Sequence, residues 1–182
     1  MTKGVSVRKV TFAGAIAALY AALTIALSFI GYGPIQFRVA EALCILPFFF
    51  PFSVWGLFVG CVLANLISPY PLDIVVGSAA SLLAALCTML VGKTGRDSLP
   101  VKALACFPPV IFNAVFIGAL IAFYMVGEGG AGAGAFFPAF AMTGAQVAFG
   151  QAVVMYALGL PLMAYLPKSR VYAKLAEYYR GQ

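Results

Sequence analysis

Long apolar runs separated by short polar segments are the main pattern along this chain. Four runs are clear, and they cover residues 10–30, 72–91, 103–126 and 140–166. A helix of about 20 apolar residues is long enough to cross the hydrocarbon core of a bilayer. The first run exceeds the roughly 7–15 apolar residues of a signal peptide, so we expect it to be a retained helix. Pro161 predicts a kink in the last run or the end of its regular part.

The stretch 39–67 fits either one tilted span or two short spans, 39–51 and 54–67, that turn near Pro47–Ser53. Hydropathy does not decide between them, because each half is short for a full crossing. Charge does: with two spans, ten of the eleven basic residues, from Lys3 to Arg180, lie on the cytoplasmic side, and only Arg38 lies outside. The sequence therefore predicts an all-α protein, one polytopic membrane domain (1–182) of six transmembrane helices with cytoplasmic termini.

Composition agrees with a membrane protein. Hydrophobic residues make up 64% of the chain and charged residues 9%, with a mean hydropathy of +1.04, whereas soluble domains carry about a quarter charged residues. The net charge is +6, but the basic residues lie at the termini and in one loop, where topology explains them better than nucleic-acid binding. The four cysteines form no CxxC pair and there is no histidine. We therefore predict no metal or cofactor, and cysteines that serve packing.

Motifs of catalysis are absent from the sequence. There is no phosphate-binding loop, so the chain is not expected to hydrolyse ATP, and no metalloprotease or hydrolase motif is present. The Gly/Ala-rich segment 127–137 is predicted to be a mobile outer loop. The tail 168–180 mixes basic and tyrosine residues, which is typical of a helix lying on the membrane surface. A polytopic protein without an enzymatic motif is best interpreted as a binding subunit.

Eight polar residues fall within or at the ends of the predicted spans, most of them toward the outer side. They are Gln36, Arg38, Glu41, Asn65, Asp73, Asn113, Gln146 and Gln151. Charged and amide groups at membrane depth are costly, so they need a partner or a purpose. Their shared depth predicts a substrate pocket. The alternatives are an Arg38–Glu41 or Arg38–Asp73 ion pair that only ties helices together, and amides that only form interhelical hydrogen bonds.

Small residues recur every four positions on the first helix. Ala13, Ala17 and Ala21 form one row, beside a parallel row that begins at Gly14. Such a face lets another helix approach closely in lipid. It predicts either internal packing or contact with another subunit.

The run Ile35–Leu43 (IQFRVAEAL) resembles the queuosine-precursor transporter family. Gly60–Asn65 (GCVLAN), Asp73–Ser78 (DIVVGS) and the closing Gly150–Pro161 segment fit the same family. The members are substrate-binding (S) components of energy-coupling factor (ECF) transporters, a class of ABC importers for vitamin uptake. The family often has an acidic residue where Gln151 stands, so this chain departs from the family pattern at that position.

The resemblance implies a six-helix subunit that binds a 7-deazaguanine, such as queuine or 7-aminomethyl-7-deazaguanine, near the outer surface of the bacterial plasma membrane. It implies a transmembrane coupling protein and two cytoplasmic ATPases as partners, and it assigns the row Ala13, Ala17 and Ala21 to the coupling protein. Glu41 or Asp73 would accept hydrogen bonds from a guanine-like edge. Three other readings stay open: an S component for another vitamin, a small membrane enzyme that acts on a hydrophobic substrate, and a solitary facilitator.

Overall fold

The computed structural model of the protein describes residues 6–33, 35–130 and 132–180, and every regular element in these ranges is helical. Lys3, predicted to be cytoplasmic, lies outside them. The α-helices are α1 (Val7–Ala26), α2 (Ser28–Gly31), α3 (Leu46–Phe49), α4 (Ser53–Asn65), α5 (Asp73–Gly92), α6 (Leu99–Ala105), α7 (Phe107–Glu128), α8 (Phe136–Val153), α9 (Leu160–Tyr165) and α10 (Arg170–Arg180). The all-α prediction is confirmed for the described residues.

Four helical stretches are long and apolar enough to cross a membrane. They are Val7–Ala26, Asp73–Gly92, Leu99–Glu128 and Phe136–Lys168. Each contains most of one of the four clear apolar runs, although the first begins and ends a few residues earlier than predicted. The ambiguous stretch forms two shorter apolar helices, Val39–Phe49 and Ser53–Asn65. The helix ends at Phe49. The next residue, Phe50, has a φ of −130° and a ψ of 86°, because a residue that precedes a proline is disfavoured in the helical conformation.

Four helical segments of the described residues depart from α geometry; two of them, the short 3₁₀ helices Ala133–Ala135 and Leu166–Lys168, are single turns, and the other two lie against each other. Residues Val39–Ile45 form a 3₁₀ helix that leads into α3, and Val154–Gly159 form a π-helix between α8 and α9. Pro161 has no N–H to donate to the carbonyl of Ala157. The wider π-helical turn before it is compatible with the loss of that hydrogen bond. Pro161 therefore marks an irregular turn within the last stretch and does not end it.

Close packing of α1 on α4 depends on two glycines. A Cβ added at Gly56 would overlap the carbonyl of Ala13, and one added at Gly60 would lie 2.8 Å from the carbonyl oxygen of Ala17. Ala13, Ala17 and Ala21 are each under 10% exposed. The alanine row thus faces into the protein, and the parallel row of Gly14, Ala18 and Ala22 is the exposed one.

The helix bundle has two distinct ends. At the one we call the site end, the Tyr32 hydroxyl donates to the carbonyl of Ala64 at 3.0 Å. At the opposite tail end, α10 packs on the start of α1, with Arg8 over the ring of Tyr178 and Lys9 over the ring of Tyr179. The predicted tail helix is therefore present.

The tail helix also contacts the non-helical residues between α3 and α4. The Phe52 N–H donates to the Tyr179 hydroxyl at 3.0 Å. Tyr172 and Leu175 of the same helix pack on the buried core. A surface helix thus covers the tail end of α1 and α4.

The predicted outer loop 127–137 is shorter than expected. Gly127 and Glu128 continue α7, Gly130 adopts a φ of +61° after its end, and Phe136 already begins α8. Apolar and aromatic residues on both sides of the glycines favour continuation of the two helices, so the turn is confined to the central Gly/Ala residues. Residue 131 lies outside the described ranges.

Candidate functional site

An ion pair between two helices lies at the centre of the site end. The Arg38 Nη2 atom donates to Asp73 Oδ2 at 2.6 Å, and both side chains are 1% exposed. The Ser68 hydroxyl donates to the same Oδ2 at 2.8 Å. Of the two predicted pairings, the structure contains Arg38–Asp73, because Arg38 precedes the 3₁₀ helix and turns toward the start of α5.

Glu41 is fully buried, and neutral donors surround it. The hydroxyls of Tyr20 and Ser81 donate to Oε1 at 2.5 and 3.2 Å, and the Cys44 thiol donates to Oε2 at 3.1 Å. In a 3₁₀ helix the side chains at i and i+3 eclipse each other, which brings Cys44 over Glu41. Neither of the two ion pairs among the described residues involves Glu41.

Asn65 and Cys61 connect the two acids. The Asn65 amide donates to the backbone carbonyl of Asp73 at 2.9 Å and to the sulfur of Cys61 at 3.4 Å. That sulfur lies 3.3 Å from the hydroxyl of Ser81, which also contacts Glu41. One hydrogen-bonded network, which we call the polar network, therefore runs from α1 and the 3₁₀ helix across α4 to α5.

Several buried polar atoms, most of them in this region, have no hydrogen-bond partner among the described residues. They are Arg38 Nε and Nη1, Asp73 Oδ1, Asn65 Oδ1, Gln36 Oε1, Gln151 Oε1, Ser78 Oγ, Ser53 Oγ and both amide atoms of Asn113. Buried polar groups in folded proteins are nearly always paired, so such a concentration calls for an explanation. Six of the eight sequence-predicted residues belong to this set, which is what a site for a polar ligand requires.

A cavity of about 430 Å³ opens at the site end beside the polar network. Its lining residues are Tyr32, Gly33, Tyr70, Ile121, Met125, Met142, Thr143 and Gln146. Tyr32 separates this cavity from the ion pair, since its ring lies 5.0 Å from the Arg38 guanidinium carbon. Burial raises the pKa of the Tyr32 phenol, against the opposing effect of Arg38, so the hydroxyl remains a donor to Ala64.

The structure brings four of the eight predicted residues into one network. Arg38, Glu41, Asn65 and Asp73 are joined through the bonds given above. Gln36, a fifth predicted residue, packs with its backbone against Gly150 of α8, so closely that a side chain at position 150 would not fit.

The remaining three predicted residues lie on α7 and α8. Gln151 is buried next to Gly150, and Gln146 lines the cavity. Asn113 is buried on α7, and no hydrogen bond within the described ranges joins it to the network. The cavity thus accounts for Gln146, and Gln36, Gln151 and Asn113 are buried amides that no hydrogen bond of the described residues joins to the network.

Sequence reasoning missed several members of the network. Tyr20 and Ser81 lie within apolar helices and were not candidates, and Cys44 and Cys61 were expected only to pack. The available signal was the spacing Glu41–Cys44, which eclipses in a 3₁₀ helix, although nothing in the sequence specifies that helix type.

The chain is similar to known transporter proteins. The sequence profile of a family described as QueT transporter matches residues 10–168. A protein of Lactococcus lactis subsp. cremoris (strain MG1363), named Queuosine precursor transporter QueT, is 42% identical over 69 residues. That match covers 37% of this chain and 41% of the relative, so the chain spans well under two thirds of the length of the curated relative it matches. No solved structure matches the chain.

The profile covers nearly all of the apolar stretches described above, including the polar network. Several apolar helices in a transporter family make this a multi-pass protein of the plasma membrane. The chain belongs to the QueT transporter family.

Proposed function

We propose that this chain is the substrate-binding (S) subunit of an ECF-type importer and that it binds a queuosine precursor of the 7-deazaguanine class. The observation that carries the proposal is the half-paired Arg38–Asp73 ion pair, buried beside a cavity in a member of the QueT transporter family. Two buried charges that use only part of their hydrogen-bonding capacity have donors and acceptors left for a planar polar ligand.

The unpaired atoms match a guanine-like edge. Arg38 Nε and Nη1 donate to the ligand carbonyl and ring nitrogen, while Asp73 Oδ1 and Asn65 Oδ1 accept from its ring N–H and amino groups. Tyr32 and Tyr70 line the adjacent cavity and offer aromatic faces for stacking. The remaining predicted substrate-binding residues, Gln36, Glu41, Asn113, Gln146 and Gln151, belong to the same proposed site.

We also propose the six-span topology with cytoplasmic termini. Two apolar helices, Val39–Phe49 and Ser53–Asn65, supply the second and third spans and meet at the tail end. The tail end gathers Arg8, Lys9 and Lys102, and the positive-inside rule assigns such an end to the cytoplasm. The site end then faces outward, where an imported ligand arrives.

The proposed partners are a transmembrane coupling protein and two cytoplasmic ATPases. A groove of about 290 Å³ runs along α1 and α4. Its lining residues are Val10, Ala13, Gly14, Ala17, Phe52, Trp55, Gly56 and Val59. Ala13 and Ala17 form part of its floor, while Ala21 lies further along the same buried row. A partner helix in this groove would touch the exposed Gly14 row as well.

The direct test is to purify the chain in detergent, extract any co-purifying small molecule and identify it by mass, then titrate the protein with 7-deazaguanines. We expect one bound deazaguanine per chain and no ATP hydrolysis by the chain alone. Arg38→Ala should weaken binding at least a hundredfold, because it removes both unpaired donors and the partner of Asp73.

Thr88→Val is the matched control. Thr88 is equally buried, but it donates to the carbonyl of Ala105, toward the tail end of α5. This variant should bind like the unmodified chain. A co-purified flavin or pyrimidine would instead indicate an S component for another vitamin, and turnover of a lipid would indicate an enzyme. Unchanged binding in Arg38→Ala would refute the site.

A further inference from the structure

An open cavity with basic walls lies at the tail end, between the start of α1 and α10. Its volume is about 410 Å³, and its lining residues are Arg8, Lys174, Glu177 and Tyr178. We propose that this cavity, which we call the basic pocket, binds the headgroup of an anionic phospholipid such as phosphatidylglycerol. The inference goes beyond the proposed function, since it concerns the end of the bundle opposite the polar network.

Helix α10 presents basic residues on the face that points away from the protein. Tyr172, Leu175 and Tyr179 pack on the buried core, so the apolar face of this strongly amphipathic helix is already covered. Lys174 and Tyr178 are exposed and four residues apart, so they are neighbours on the outward face. The outward face therefore remains accessible to a ligand.

Arg8 places the basic pocket beside the lipid-facing side of α1. Helix Val7–Ala26 is long and apolar enough to cross a membrane, and Arg8 lies in its first turn, at the depth of the headgroups. Thr11, Ala15 and Leu19 follow on the same helix face, and all three are exposed. None of these residues lines the groove proposed for the coupling protein. The basic pocket thus opens onto a surface that meets lipid acyl chains.

The charges around the pocket suit a phosphodiester. Arg8 and Lys174 offer N–H donors to phosphate oxygens, and the Arg8 guanidinium carbon lies 5.9 Å from the centre of the Tyr178 ring. Segment 168–180 carries four basic residues and one acid, Glu177, and the start of α1 adds Lys9. Glu177 does not attract a phosphate, but its carboxyl oxygens accept hydrogen bonds from the hydroxyls of a glycerol headgroup. Phosphatidylglycerol combines a net negative charge with such hydroxyls, whereas phosphatidylcholine has neither.

Exposed apolar side chains next to the basic ones favour a membrane over an acidic protein as the occupant. Val7 of α1 is 79% exposed and Val171 of α10 is 62% exposed. Tyr165 is also exposed, and the Lys168 ammonium lies 5.9 Å from the centre of its ring. Apolar and aromatic residues interleaved with Lys and Arg are typical of a surface at the membrane interface. An acidic soluble protein would gain little from these apolar residues.

Native mass spectrometry of the full chain tests the proposal, after release from micelles that contain equal amounts of phosphatidylglycerol and phosphatidylcholine. We expect phosphatidylglycerol adducts to outnumber phosphatidylcholine adducts about fivefold, because only phosphatidylglycerol carries a net charge. Arg8→Gln combined with Lys174→Gln should bring this ratio close to one. Lys93→Gln combined with Arg96→Gln is the matched control. It removes the same two charges from exposed positions outside the basic pocket and should keep the preference.

Equal adducts on the unmodified chain would leave an acidic protein as the occupant and overturn the proposal, as would an unchanged ratio in the pocket variant. Equal falls in both double variants would assign the preference to overall charge and overturn the pocket. An excess of glycerol phosphate, compared with sodium chloride at the same ionic strength, should leave the preference intact. Its specific loss would show that the pocket binds a soluble phosphate instead. If the pocket variant does not fold, Lys174→Gln alone decides, because Lys174 is exposed on the helix surface. Each of these results leaves the proposed deazaguanine binding untouched.

Discussion

The described part of the protein contains two ion pairs of equal length in different surroundings. Arg38–Asp73 at the site end and Lys102–Asp97 at the tail end both have an N···O distance of 2.6 Å. Both side chains of the first pair are 1% exposed, whereas Lys102 is 10% and Asp97 64% exposed. Distance alone therefore does not distinguish the pairs, and burial does.

Burial changes what each pair can do. An exposed pair is screened by water and salt and contributes little to stability. A buried pair has lost the solvation of both charges, so its members need further hydrogen bonds. Arg38 and Asp73 lack some of those bonds within the described protein. At the site end, Arg38 and Asp73 thus keep hydrogen-bonding atoms that a ligand can use. At the tail end, the acid of the pair is open to solvent.

The largest expected effect comes from breaking the buried pair on one side. Asp73→Asn leaves Arg38 buried without a counter-charge, which costs about 3–5 kcal/mol of stability. We expect a matching loss in the free energy of unfolding, measured by chemical denaturation in detergent, together with loss of deazaguanine binding.

A double variant separates stability from function at the same pair. Arg38→Met with Asp73→Leu removes both charges, and well-packed apolar replacements of a buried pair are often neutral for stability. The double variant should therefore recover most of the unfolding free energy lost by Asp73→Asn and still fail to bind ligand. Recovery of binding would mean that the pair only ties helices together.

A smaller effect is expected at the hydroxyl that holds Glu41. Tyr20→Phe removes a 2.5 Å hydrogen bond to the buried side chain of Glu41, and leaving a buried acceptor unpaired costs about 1–3 kcal/mol. The free energy of unfolding should fall by that amount. Tyr156→Phe is the control, since the exposed Tyr156 hydroxyl bonds only a backbone carbonyl at 3.2 Å. Equal losses in both variants would show that the Tyr20–Glu41 bond contributes no more than a bond at the surface.

The sequence was sufficient to predict the break between the second and third helices. The positive-inside rule favoured two short spans over one, and the structure shows that the first of these helices ends at Phe49, shortly before Pro51. The Arg38–Asp73 pair was one of two anticipated pairings, because few charged residues occur in so apolar a chain. The small number of charged residues and their positions along the chain decide both features.

Features that depend on packing direction were not predictable. The rows Ala13–Ala21 and Gly14–Ala22 are equally small, and only the contact with Gly56 and Gly60 of α4 shows which row faces inward. Tyr20 likewise resembles any aromatic residue of a membrane helix until the 3₁₀ helix brings Glu41 to its hydroxyl. Tertiary contacts decide these positions, and a single sequence does not encode them in its local pattern.

The smallest expected effect is at the exposed pair of the tail end. Asp97→Asn removes the counter-charge of Lys102, but Asp97 is 64% exposed, so water already screens the pair and the loss should be about 0.2–1 kcal/mol. Because salt screens exposed charges, the difference between Asp97→Asn and the unmodified chain should shrink further at about 1 M salt. The loss in Asp73→Asn should persist at that salt concentration, since water and ions do not reach a pair that is 1% exposed. Thermal unfolding of both variants at low and high salt measures the contrast, and equal, salt-sensitive losses would show that burial does not separate the two pairs.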